Sequence, residues 1–535
     1  MSTDNSVLNN ETSRTKGSDA IINNFNAIFA LSEIVKTTLG PLGMDKMLID
    51  SVGNTIITND GVQILKSMDI DHPAAELIIE VAKTQDLNVG DGTTSCVILI
   101  AHILEEAKKL YLKGIHPNLI LKYFIEGLNF SLKQIEDISI DISKDLENYL
   151  YKIIITAMRG KSSEESSPYL AKLLVDNIVK QNKNPKNDEI LSHKFSKKSF
   201  KNVKIVGPNI EESKIIRGIV FDKKRILDSM PKSIENPKVL ICSCPIEIQE
   251  IENAHQIQIS NYEQYEEFIK QERKYLYSIS QKIIELGIKV VVCQKGIDDS
   301  IVSILNEHNI LVLRRCKKSD IELLNKYSNS KILGNLDLID ESYITNVSKI
   351  NTHEFEKEEV ISFEIKESNF LSMIICASTQ HIVDEIERAV EDSVGDISNA
   401  LKEMKIVGGG GSNFAALFTR LMQYSKSKHG KEQFILEHLA NSFLSIPRIL
   451  AQNSGLDELE IISSLKFEHS QNNKTYAGID CTKGVIDNVL NSNIVEPIGV
   501  TTQILLSSKE AISLILRIDD IIAAKKIDLN PPNLE

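Results

Sequence analysis

The stretch from Asn88 to Lys109, NVGDGTTSCVILIAHILEEAKK, runs from two glycines around an aspartate through three hydroxyl residues into an apolar segment. Free backbone N–H groups at a helix start, with the positive end of its dipole, hold phosphate oxygens. Asp91 would repel bare phosphate but suits a hard cation such as Mg²⁺ bridging phosphates. The plainer chemistry is structural: Thr93, Thr94 or Ser95 caps the helix by accepting one of its orphan N–H groups. Taken by itself, the fragment favours the cap.

Other short motifs are equally two-sided. Asp60-Gly61 in ITNDGVQIL reads as a tight turn, and TLGPLGMDK, containing Gly40, as punctuation ending a helix. Gly408 to Gly411 fit a hinge, a helix cap or a close backbone approach. Gly160-Lys161-Ser162 has the ending of a phosphate loop, but Ile155 stands where that motif needs glycine, so a P-loop is rejected. Neither H-E-x-x-H nor G-x-S-x-G occurs, so nothing supports a zinc protease or a hydrolase triad. Asp392 lies opposite the apolar stripe Ile382, Ile386, Val390, Ile397 and Leu401. Periodicity does not separate it from Asp384, Glu391 or Asp396.

These residues must be carried by several domains, because 535 residues exceed one core and the length prior gives about three or four. Residues 20–150 have helical spacing, interrupted by a hairpin pattern in KMLIDSVGNTIITNDG around Gly53. Residues 181–201 are Lys- and Asn-rich and read as a loop. Between 203 and 350, strand-like runs (VLICSCPIEI, IKVVVCQKGI, NILVLRR) alternate with helical ones, the texture of an α/β domain. Within it, residues 247–275 are charged with little sustained apolar face, the pattern of an exposed excursion. Helical texture returns from 381 to about 470. The polar first twenty residues lack a signal-peptide core and read as a flexible arm.

The net charge of −13, without a basic block, argues against nucleic-acid binding. No apolar run reaches the ~18 residues of a membrane span. Seven scattered cysteines, with only Cys242 and Cys244 close and not at zinc spacing, fit a reducing compartment, so a cytoplasmic location is expected.

Together, VKTTLGPLGMDKMLID, ITNDGVQILKSMDIDHPAAELI, VGDGTTSCVILIAHIL, ERAVEDSV and VGGGGSNFAAL stand in the order found in group II chaperonins, and the chain resembles that family over about residues 20–525. GIDDSIVSILNEHNILVLRRCKKSDIELL, SIPRILAQNSGLD, YAGIDCTKGVIDNVLNSNIVEPIGV and AISLILRIDDII are most similar to the alpha-type subunit of the eukaryotic cytosolic chaperonin. The resemblance implies a multidomain α and α/β fold. A mainly helical equatorial ATPase domain (1–149 and 405–535) joins a small intermediate domain (150–212 and 367–404) and an α/β apical substrate-binding domain with a helical protrusion (213–366). It implies an ATP hydrolase coupled to protein folding, using ATP/ADP, Mg²⁺ and K⁺. It further implies a double ring with seven paralogous subunits and unfolded clients such as actin and tubulin. A structural ring subunit that binds nucleotide with little hydrolysis is the alternative; a stand-alone small-molecule kinase has no acceptor motif to support it.

Carried over residue by residue, the resemblance makes Asp91 the magnesium ligand, while Gly92, Thr93, Thr94 and Ser95 contact phosphates and Gly40 approaches the nucleotide through its backbone. Asp60 and Asp392 correspond to the aspartates that place the attacking water, and Lys161 to a basic residue near the phosphates. Gly410, Gly478 and Glu496 line the base and ribose side. The chain departs from the family at Gly408, which replaces a proline and should loosen the backbone there. It departs again at Ser412-Asn413-Phe414, where a glutamate is missing.

Overall fold

A computed structural model of the chain describes residues 13–49, 53, 55–161, 164–182, 195–247, 262–356, 358–366, 368–471 and 476–523. They form two compact units. One comprises the residues up to Ala171 together with those from Ala389 onward; the other is Lys172–Arg388.

The first unit is built around the Thr93–Leu112 helix. Cys96 to Ala101, Ile103, Leu104, Ala107 and Leu110 leave it apolar on almost every side. A helix of that kind must be surrounded. Helices Ser18–Val35, Pro73–Asn88, Lys431–Phe443, Ser445–Asn453 and Ile498–Ile515 pack around it. Two neighbouring helices start alike: His72 and His116 each accept a backbone N–H through the ring, and each is followed by a proline, whose fixed φ suits the first turn.

Short strands complete this unit. Lys46–Ile49 pairs with Thr55–Thr58 as the expected hairpin. Lys405–Gly408 lies between Ile140–Asp141 and Val495–Pro497, and Ala477–Asp480 pairs with Val485–Asn488.

Three sequence expectations need correcting. The amino-terminal arm is not free throughout: Ser13–Lys16 pairs antiparallel with Asp520–Ala523, and Arg14 holds Asp520 in an ion pair. Residues 1–12 lie outside the described residues. In the Gln380–Glu403 helix, Ile382 is exposed, and the buried stripe runs Val383, Ile386, Val390, Val394, Ile397, Leu401, because steps of three or four keep it on one side. Gly408 is not loose, since it sits in a strand opposite Val495 and a side chain there would meet Val489 at 2.8 Å.

The second unit is α/β, as its alternating texture predicts. Lys238–Cys242, Val290–Cys293 and Leu311–Leu313 are adjacent parallel strands. Valines 290–292 and Cys293 are all buried, which explains the uninterrupted apolar runs. Helices Tyr262–Glu285, Asp299–Glu307 and Lys318–Ser328 accompany them. A second sheet of six strands includes Phe200–Val206, Leu371–Ala377 and Lys214–Phe221. Of the two polar segments singled out above, 183–194 and 248–261 lie outside the described residues. All seven cysteines are unpaired thiols.

Candidate functional site

The first unit holds every predicted site residue. Gly92, at φ +76°, is the cap of the Thr93–Leu112 helix, a left-handed conformation that glycine adopts without the cost a side chain would impose. No side chain caps this helix, so the reading of Thr93, Thr94 or Ser95 as a cap fails. Their N–H groups occupy the first turn, where no intrahelical partner exists. Asp91 precedes them. Its Oδ1 accepts from Gly92 N–H at 2.6 Å, and its backbone carbonyl accepts from Gln85 Nε2 at 3.0 Å.

Asp60 is more than a turn residue. It caps the Gly61–Lys66 helix by accepting from Val62 N–H at 3.1 Å. A side chain at Gly61 would lie 2.5 Å from Thr94 Oγ1, so this turn abuts the glycine-aspartate turn directly. Lys161 follows the Leu146–Met158 helix, and its ammonium donates to Asp392 Oδ2 at 2.5 Å. Asp392 is therefore paired, not a merely solvated charge. Gly40-Pro41 lies beside Lys161, since a side chain at Gly160 would strike the Pro41 carbonyl at 2.2 Å.

The electrostatics tie these groups together. Burial, then the charge of Asp392, raises the pKa of both Asp60 and Asp91. Burial works against the charge on Lys161, but Asp392, and then Asp91 and Asp60, keep its pKa above the ordinary lysine value. One ammonium among three carboxylates leaves a local excess of negative charge. A hard divalent cation would offset it, but among the described residues no three such side chains stand close enough to hold a metal by themselves, so Asp91 fits Mg²⁺ as one ligand beside oxygens from a bound ligand.

The second cluster is a strand-to-helix turn. Gly409 N–H donates to Ile494 O at 3.0 Å, Gly410 O accepts from Ile479 N–H at 2.9 Å, and Gly411 caps the Ser412–Ser425 helix. Gly478 faces this turn: a side chain there would lie 3.0 Å from Gly409 O. Glu496 is held opposite Val407 in the strand pair. Burial, then Asp91, pushes its pKa up to about 8, which couples this cluster to the first. The Ser445–Asn453 helix touches both clusters, with Leu450 against Gly40 and Pro447 against Gly411.

Sequence reasoning missed three residues. Asp396 is 2% exposed, its Oδ1 has no hydrogen-bond partner, and burial, followed by Asp91, Asp392 and Glu496, pushes its pKa well above the carboxylate range. The available signals were its place one turn beyond Asp392 and the mid-helix Gly395, where a side chain would lie 2.7 Å from Val89 O. Gln85 supports Asp91 through the bond given above. Asn413, at a departure from the family pattern, contacts Glu496.

The comparisons with known proteins bear on the family. Residues 31–526 match the model of the TCP-1/cpn60 chaperonin family. A thermosome subunit of Methanopyrus kandleri is 39% identical over 96% of this chain and 94% of the relative. The thermosome subunit beta of Methanothermobacter thermautotrophicus is 37% identical over 99% and 96%. The thermosome subunit alpha of Archaeoglobus fulgidus is 38% identical over 98% and 95%. Similarity at this level along nearly the whole chain shows that it belongs to the TCP-1/cpn60 chaperonins, ATPases that drive protein folding.

Proposed function

We propose that the chain is an ATP-hydrolysing subunit of a double-ring chaperonin of the eukaryotic cytosolic, alpha type, working in the cytoplasm beside seven paralogues. The observation that carries the catalytic part is the bond from Lys161 to Asp392 beside Asp60, Asp91 and an uncapped helix start. In this reading the N–H groups of Thr93, Thr94 and Ser95 hold phosphate oxygens. Asp91 would hold Mg²⁺, which supplies charge neutralisation between phosphates, with K⁺ as an accessory ion. Asp60 and Asp392 accept hydrogen bonds from a water and aim it in line, without a covalent intermediate. Lys161 donates both to Asp392 and to the incoming phosphate, so nucleotide binding loosens its hold on Asp392. Gly40, Gly410, Gly478 and Glu496 enclose the base and ribose.

The same Lys161–Asp392 bond favours a second reading. A carboxylate engaged by an ammonium is less available to water, and the subunit then binds nucleotide while hydrolysing little. In both readings residues 213–366 contact unfolded clients, actin and tubulin among them. Native mass spectrometry of the particle carrying this chain tests the assembly: eight different subunits, with one copy of this chain per ring, are expected. Rings of this chain alone would overturn the cytosolic hetero-oligomer and leave the chaperonin fold standing.

A further inference from the structure

An asparagine in the first turn of a buried helix is costly unless its amide is fully bonded, because its side chain competes with the backbone and loses solvent. Asn413 is 2% exposed in the first turn of the Ser412–Ser425 helix. Its Nδ2 donates to Thr501 Oγ1 at 2.7 Å and to Glu496 Oε2 at 3.4 Å, while its Oδ1 accepts from Phe414 N–H at 2.9 Å. The orientation of the amide is fixed by these partners, since a flipped amide would set oxygen against the carboxylate.

Glu496 is thereby divided. Its backbone is pinned in the strand pair, and its Oε2 is turned toward Asn413. Its Oε1 lies along the glycine turn, 3.2 Å from where a Cβ on Gly409 would sit, and no residue among those described donates to it. A half-buried acceptor with one oxygen held and the other open can take a hydroxyl donor from a ligand resting on that turn. We propose that Asn413 is a positioning residue that fixes the open oxygen of Glu496 so that the site selects ribonucleotides over deoxyribonucleotides. This rests on the nucleotide-binding reading of the site and extends it to the sugar. A ligand lacking the hydroxyl would leave Oε1 buried and unpaired, the kind of loss by which polar sites discriminate strongly.

The test uses the assembled particle and a photoreactive ATP analogue, with labelling of this subunit's own peptides read by mass spectrometry. Competition by ATP, 2′-deoxy-ATP and 3′-deoxy-ATP gives the discrimination at this site alone. The native chain should prefer ATP over at least one deoxynucleotide by roughly tenfold or more, the range for leaving a polar partner unsatisfied. In Asn413→Val that ratio should fall to about threefold or less, with weaker ATP binding. Should that variant fail to assemble, Glu496→Met, which keeps the side chain's length but removes both oxygens, must lose the discrimination as well. A ratio that survives either substitution overturns the proposal and leaves Asn413 a packing residue. Absence of any ATP-protected label in the native chain would instead overturn the nucleotide reading itself.

Discussion

Asp392→Ala separates nucleotide binding from nucleotide turnover. In the structure Asp392 does two opposed things: it bonds Lys161 at 2.5 Å, and after burial it is the largest influence raising the pKa of Asp60 and Asp91. Removing it takes away a negative charge and frees Lys161, so the site should accept anionic phosphates at least as well as before. Lys161 loses its closest partner but keeps Asp91 and Asp60 nearby. With the paired side chains 19% and 29% exposed, the stability cost should stay at about 1–2 kcal/mol. Turnover should suffer far more. If Asp392 orients the water, hydrolysis at this subunit falls on the order of a hundredfold, about 2.7 kcal/mol of lost transition-state stabilisation. Turnover of a whole particle would mask this, because other subunits continue, so the readout is the nucleotide found in this pocket by high-resolution imaging after incubation with ATP. ATP should persist in the variant where ADP accumulates in the native chain. Lys161→Met combined with Asp392→Ala completes a double-mutant cycle on stability, which isolates the pair from the chemistry. ADP in the variant pocket as often as in the native one would refute the reasoning and leave Asp392 a structural partner of Lys161.

Asp91→Ala should weaken Mg²⁺-dependent ATP binding while leaving metal-free binding little changed; a magnesium titration of site occupancy decides this. Asp396→Leu keeps the branching of the side chain while removing a buried, unpartnered carboxyl oxygen, and should raise the stability of the first unit by about 1–3 kcal/mol; a lower melting temperature would show the carboxyl to be engaged. Burial, then Lys214, lowers the pKa of His353 to about 4 from an ordinary 6.5. The unfolded chain therefore binds more protons between those values, and stability should fall as pH drops from 6.5 toward 4. After allowance for partial solvent exposure the loss is about 1–2 kcal/mol, and His353→Gln should abolish it in hydrogen exchange of the strands Lys349–Glu354 and Glu359–Glu364.

What the sequence reveals divides along the range of the interaction. The Thr93–Leu112 helix, the Lys46–Thr58 hairpin and the parallel strands around Val290–Cys293 follow from local periodicity, and they formed as read. Pairing of Ser13–Lys16 with Asp520–Ala523 has no local signature, because Ser13–Lys16 is polar enough to pass for a tail, Asp520–Ala523 is too short to show a period, and the two lie some five hundred positions apart. The motif residues Asp60, Asp91 and Asp392 were legible only by family resemblance; composition and spacing left each a turn, a cap or a surface charge. Asp396 and Asn413 escaped both routes. A single carboxylate or amide beside an apolar stripe looks like a solvated position until the neighbouring segment that buries it is known. In both cases that segment lies distant in sequence: the Val89–Asp91 turn for Asp396, and Glu496 with Thr501 for Asn413.

The first unit is interrupted by the whole of Lys172–Arg388, and this has a consequence for the order of synthesis. Asp60, Asp91 and Lys161 are made before the interruption; Asp392, Gly410, Gly478 and Glu496 are made after it. At ordinary elongation rates that interval lasts on the order of 10–40 s. Throughout it the Thr93–Leu112 helix has Ser18–Val35 and Pro73–Asn88 beside it but lacks Lys431–Phe443, Ser445–Asn453 and Ile498–Ile515, which complete its cover. A nascent chain carrying so much uncovered apolar surface is itself in need of protection from aggregation. The emerging subunit thus passes through the same condition as the unfolded proteins its family serves.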